Sequence, residues 1–158
     1  MTGFAPTPGR PEKENVQAMF DAIAPRYDLL NRVLSARVDV AWRRHAVRAL
    51  ALRPGDRILD LATGTGDLLL EELRGGASRS VGADLSFGML RLARPKFEAA
   101  GKPEARVCQG DAERLPFSDA AFDGATIAFG IRNVLDRAQG LREMRRVVKP
   151  GRRVVVLE

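Results

Sequence analysis

A short apolar run with a carboxylate in its fourth place, Arg57-Ile58-Leu59-Asp60-Leu61, passes directly into Ala62-Thr63-Gly64-Thr65-Gly66-Asp67 and then into Leu68-Leu69-Leu70. No other stretch limits the fold as strongly. The apolar run suits a strand buried on both faces of a parallel sheet. The two glycines permit a tight turn in which main chain stands where side chains would, and the leucines begin a helix. Strand, glycine loop and helix in this order form the opening of a βαβ unit, and such a unit commits the chain to a sheet with crossover helices.

The alternation then repeats. Residues 80–84, 106–109, 124–128 and 153–157 read as further strands, and 67–73, 86–99 and 136–148 as helices, with Ser86 as N-cap of the second. Pro95 is expected to kink or shorten that second helix, because it lacks an N–H and its ring crowds the preceding turn. Ahead of the first strand, apolar positions Val16, Met19, Phe20, Ile23, Leu29, Leu30, Val33 and Leu34 recur at helical spacing, with a break expected near Pro25. The expected organisation is a flexible tail over 1–13, rich in proline and glycine, an N-terminal helical cap over 14–52, and an α/β domain over 53–158. That domain is a Rossmann-like, doubly wound, mainly parallel sheet of five strands. The last strand closes the sequence at Glu158 without a helix to cover it. The expectation is that further strands belong to the sheet or that a partner covers its edge.

Three carboxylates fall at the ends of the first three strands: Asp60, Asp84, and Asp111 just past the third. In a parallel sheet these ends lie side by side, where ligands of doubly wound folds bind. Asp84 can accept from both hydroxyls of a ribose, while Gly64 and Gly66 let a ligand approach main chain. Nicotinamide dinucleotides share these features, since an acid about 20 positions after the loop is part of their fingerprint. Their third glycine, however, would fall at Leu69, and Asp67 would put negative charge where a pyrophosphate sits. The pattern fits S-adenosyl-L-methionine better. The plainer roles of these acids are helix capping for Asp67 and a turn at Asp111.

Composition narrows the remaining classes. One His and one Cys leave too few ligands for a zinc site, so no metal is expected. The net charge of +6 would favour nucleic acid, anionic headgroups or an acidic substrate, but only 6% of residues are aromatic and none interleave with Lys and Arg. Nucleic acid is therefore not an expected partner. No apolar run reaches the ~20 residues that span a bilayer, and the start lacks a signal-peptide core, so a cytoplasmic protein is expected. His45, among Arg43, Arg44 and Arg48, reads as a surface or packing residue, and Trp42 and Phe20 as packing of the cap.

Several segments resemble one family. Phe20-Asp21 to Ile23-Ala24, Tyr27-Asp28-Leu29-Leu30-Asn31, Leu34-Ser35 and Trp42 are similar to the N-terminal signature of the quinone C-methyltransferases that make menaquinone and ubiquinone. Phe129-Gly130-Ile131-Arg132-Asn133-Val134 resembles the family's segment after its fourth strand. Arg146-Val147-Val148-Lys149-Pro150-Gly151 with Val154 to Glu158 resembles its later motif. The likeness runs from about Asn15 onward. It departs at Leu30 and Asp39, and at Arg152, which stands where a second glycine usually follows Gly151 and where a positive φ would disfavour a side chain.

The resemblance implies a class I methyltransferase that moves a methyl group from S-adenosyl-L-methionine to a ring carbon of a prenylated quinol. It implies cofactor contacts at Thr65, Asp84, Asp111 and Ala112, and backbone contact at Ala128, where some relatives carry serine; Asp60 and Gly64 join them by position. Arg132 and Asn133 would stabilise an oxyanion of the acceptor, with Tyr27 and Asn31 closing the site from the cap. A prenylated substrate implies contact with the inner face of a membrane, and a homodimer is an open partner reading. Methylation of another small molecule or RNA, or cofactor binding without turnover, are the alternatives.

Overall fold

In the computed structural model the described residues are 13–34, 38–103 and 105–158, and over 25–34 the description is of helical backbone alone. Two helices come first, α1 (Lys13–Leu34) and α2 (Val38–Leu50). The domain follows as β1 (Arg57–Leu61), α3 (Asp67–Arg74), β2 (Arg79–Asp84), α4 (Phe87–Ala99), β3 (Arg106–Gln109), β4 (Phe122–Ala128), a 3-10 turn (Ile131–Asn133), α5 (Arg137–Val147) and β5 (Val148–Leu157). Residues 1–12 of the expected tail lie outside the described residues, while Lys13 opens α1. Among the described residues no helix is long and apolar enough to cross a membrane.

All five strands pair in parallel, in the order β3-β2-β1-β4-β5. The chain therefore starts in the middle, winds outward to β3, and returns to the other side of β1. The reversal leaves a crevice beyond the carboxyl ends of β1 and β4, the switch point of a doubly wound sheet. Period-two alternation separates the two faces of β1. Leu59 and Leu61 join Ala125, Ile127, Met144 and Val147 in the core under α5, while Ile58 packs with Leu50 of α2. A separate apolar cluster, Leu69, Leu70, Leu73, Ala93 and Phe97, seals α3 to α4.

Both prolines proved milder than expected. α1 runs unbroken through Pro25, and α4 continues past Pro95 to Ala99. Proline's fixed φ is close to the helical value, so the main loss is one hydrogen bond. In α4 both Pro95 and Arg91, whose carbonyl is left free, are exposed, so water can serve that carbonyl, and buried Met89, Leu90, Ala93 and Phe97 hold the opposite face. Ser86 caps α4 as expected, its hydroxyl accepting from Met89 N at 3.1 Å.

The last two strands begin earlier than the apolar runs suggest, at Phe122 and Val148. α5 passes straight into β5, and Pro150 is tolerated because β5 is an edge strand. The positive φ of this turn sits at Gly151 (+75°) and not at Arg152. Arg152 instead pairs with Asp56 and donates to the Asp123 carbonyl at 2.7 Å, so the departure from a second glycine adds a contact and no strain.

Candidate active site

The glycine loop is built by close approach. Thr63 N donates to Ala83 O of β2 at 3.2 Å, and Gly66 N returns to Thr63 O at 2.9 Å. Gly66 has φ +83°, and a Cβ there would lie 2.4 Å from the Phe97 ring, so both backbone and space demand glycine. The loop brings Gly64 N to Asp84 Oδ2 at 2.8 Å. Ser86 N meets the other oxygen of that carboxylate at 2.8 Å. Burial raises the Asp84 pKa above the usual carboxylate range, against the opposing pull of these N–H groups, and the nearby charge of Asp21 adds to the rise.

Asp60 does not face the crevice. It is 1% exposed beneath the loop, accepting from Thr63 Oγ1 at 2.6 Å and lying 3.1 Å from Thr126 Oγ1. Thr126 Oγ1 is also 2.7 Å from Glu72 Oε1, a fully buried acid of α3 whose Oε2 has no hydrogen-bond partner among the described residues. One hydroxyl carries one proton, so it donates to only one of the two carboxyls; the other contact needs a protonated acid. Burial raises both acids, Asp60 to about 7, and the charge of Asp60 further raises Glu72. The loop therefore rests on a pair of acids that holds a proton, and Asp60 acts as its support.

Beside the loop, Lys96 donates to Thr65 Oγ1 and Asp67 Oδ1, both at 2.8 Å. Arg43 of α2 joins Asp67 at 3.2 Å and Asp39 at 2.9 Å. Asp67 is thus an ion-pair partner of two cations, without a side-chain capping bond in α3. Its charge is answered, so it no longer argues against a pyrophosphate.

α1 roofs the crevice through two polar latches. Lys13 bridges Asp111 Oδ2 (2.6 Å) and Glu113 (2.8 Å), and these bonds raise its pKa. Asp21 Oδ1 accepts from Ser86 Oγ (2.5 Å) and Gly88 N (2.8 Å) at the start of α4. Under this roof lies a cavity of about 790 Å³ including its open mouth, within the ~300–1,000 Å³ of small-molecule sites.

Of the residues singled out from sequence, Gly64, Asp84, Asp111, Ala112, Ala128 and Asn133 line this cavity together. Asp60 lies below it, and Thr65 turns to Lys96. Arg132 is directed outward, its guanidinium paired with Glu158 and 59% exposed. Tyr27 and Asn31 belong to α1, and their side chains lie outside the described residues. Periodicity gave no hint of Lys13, Met89 or Phe129 as cavity walls. His45 is exposed, as expected.

The walls suit an adenosyl sulfonium. Leu61, Leu85, Met89, Val134 and Leu135 offer apolar surface for a flat base, and Asp84 offers carboxylate oxygens for hydroxyls. Asp111, Glu113 and Asp84 outnumber Lys13, a balance that favours a cationic ligand over a dianionic pyrophosphate.

A five-stranded parallel sheet in this order, with a glycine loop at its switch point and acids ending β1 and β2, is the class I methyltransferase fold. The [4+2]-cyclase SpnF shares it with a TM-score of 0.78 and 27% identity, over 96% of this chain and 60% of its own. The YcgJ protein of Bacillus subtilis aligns with a TM-score of 0.70 and 27% identity over 73% of this chain and 49% of its own. A cyclase on this fold shows that architecture alone does not fix the reaction.

The pattern of the ubiE/COQ5 methyltransferase family matches residues 10–158, and the chain belongs to that family. It is 54% identical over 150 residues to the ubiquinone/menaquinone biosynthesis C-methyltransferase UbiE of Geotalea daltonii, covering 92% of this chain and 63% of that one. It is likewise 54% identical over 141 residues to the demethylmenaquinone methyltransferase of Thermus thermophilus, covering 89% and 64%. The chain thus spans a little under two thirds of the length of these relatives.

Proposed function

We propose that this chain binds S-adenosyl-L-methionine and takes part in C-methylation of the ring of a demethylmenaquinone or ubiquinone-precursor quinol. The observation that carries the reading is the meeting of Gly64, Asp84, Asp111 and Asn133 on one cavity in a chain of this family.

The cofactor, when bound, supplies an electrophilic methyl group. Asp84 accepts the ribose hydroxyls with the lone pairs that Gly64 and Ser86 leave open. Asp111 and Ala112, which line the cavity, would border the base, and α1 would limit water above it. An in-line transfer asks the protein chiefly for near-attack placement. The acceptor carbon gains electron density when the neighbouring ring hydroxyl gives up its proton to water at the open mouth of the cavity, and a donor beside that oxygen stabilises the resulting anion. Asn133 lines the cavity and takes the donor role. Arg132, paired with Glu158 and turned outward, takes no part in this contact.

The test offers the chain methyl-labelled S-adenosyl-L-methionine with reduced demethylmenaquinone, a ubiquinone precursor, and bulk RNA in separate reactions. Label in a quinol ring is the expected result. Label in RNA alone overturns the quinol assignment.

A further inference from the structure

Phe129 follows β4 with φ +54°, a left-handed backbone that strains a bulky residue. It is held there by its N–H, which donates to Leu157 O at 2.7 Å. Phe129 lines the cavity. The Trp42 ring stands 6.2 Å away, centroid to centroid, tilted by 49°.

Trp42 was expected to pack in the cap, yet it is 49% exposed, while Ala46 and Val47 further along α2 are buried. One turn earlier, Val38 is 45% exposed. α2 therefore turns its core face inward and leaves its largest ring in water beside the cavity wall. Strain at Phe129 and exposure of Trp42 each carry a cost, and the two coincide where a second molecule would enter.

We propose that Trp42 and Phe129 form the platform that holds the flat ring of the acceptor; this rests on the quinol-methylation reading above. A quinol nucleus is flat and apolar with polar oxygens at its rim. Aromatic faces at centroid distances of ~4.5–7 Å bind such a ring by offset or edge contacts without fixing its in-plane orientation. Asn133, four residues beyond Phe129 and on the same cavity, supplies the polar contact that does. Trp42 thus sets affinity for the ring, and Asn133 sets which oxygen, and so which carbon, faces the methyl donor.

Trp42 is the sole tryptophan, so emission excited selectively at the indole band, where Tyr27 does not absorb, reports this position alone. The experiment titrates the chain with menadione, a soluble naphthoquinone, using N-acetyltryptophanamide to correct for absorbed light. Saturable quenching is expected, with half-saturation raised ~10-fold in Phe129→Leu. Calorimetry with the same probe covers the exposed position, where folding is not at risk: Trp42→Ala is expected to weaken binding ~10-fold and Trp42→Phe to restore most of it. Affinity for S-adenosylhomocysteine is expected to stay within ~3-fold in Trp42→Ala and Trp42→Phe, whose position lies outside the cavity lining. Quenching that matches free tryptophan, or menadione binding by Trp42→Ala equal to the parent, overturns the platform. Because one titration reads the ring and the other the cofactor, a chain that binds S-adenosylhomocysteine but shows no saturable quenching loses the platform and keeps the methyl-transfer reading.

Discussion

The floor and the roof of the cavity are made by different physics. The floor is main chain and buried carboxyls: the loop from Ala62 to Gly66, Asp84 clamped between two N–H groups, and below them Asp60, Thr126 and Glu72 with no access to water. The roof is α1, fastened by Lys13 and Asp21 across long stretches of sequence, and beside it α2 is tied to the loop by Arg43 and carries the half-exposed Trp42. A floor packed to van der Waals contact has one arrangement. A roof on part-exposed polar latches can open at small cost, which a site that must admit and release a cofactor requires.

This contrast can be broken most forcefully at Gly66. Gly66→Ala adds a Cβ 2.4 Å from Phe97 and forces alanine into positive φ, so the chain should lose about 3 kcal/mol in urea unfolding, the sum of overpacking and backbone strain. A loss under about 1 kcal/mol would mean that the floor is as yielding as the roof.

The buried acids give a smaller effect that depends on pH. Their folded pKa values are raised, Asp60 to about 7, so the folded chain keeps protons that the unfolded chain releases from about pH 4 upward. The contribution of each is complete below the unfolded carboxylate pKa and is lost as pH rises through its folded pKa, which for Asp60 is about 7. Glu72→Gln removes one acid, and between pH 5 and pH 8 the variant should lose about 1–2 kcal/mol less stability than the parent. Equal slopes in denaturation at the two pH values would show that the pair does not share a proton.

The latches give the smallest change. Lys13→Ala removes a part-exposed ion pair worth about 0.5–1 kcal/mol, so cofactor affinity should weaken only ~2–5-fold, mostly through faster release in stopped-flow. Unaltered release would detach Lys13 from the roof's opening.

The same contrast explains what could be read from sequence. β1, the loop and α3 are local, and their pattern of apolar residues and glycines gave both the fold and the place of Gly64 and Asp84. Asp111, Ala112 and Asn133 followed from strand ends and from resemblance. Lys13 was invisible because its partner lies 98 residues away, and Glu72 looked like the polar side of a helix until Thr126, 54 residues on, faced it. Thr65 and Arg132 carried signals of type and position, but Lys96 and Glu158 draw their side chains from the cavity wall. Proline penalties failed for a related reason: the exposure of Arg91 and Pro95 is a tertiary fact.

The central claim is that the floor is a site for an adenosyl sulfonium with Asp84 at its ribose. Calorimetry with S-adenosylhomocysteine and with NAD, on the parent chain and Asp84→Asn, tests it directly. Binding of S-adenosylhomocysteine alone is expected, weakened ~10–100-fold by Asp84→Asn through loss of charge-assisted hydrogen bonds. Equal affinity in the variant, or tight binding of NAD by the parent, would contradict it.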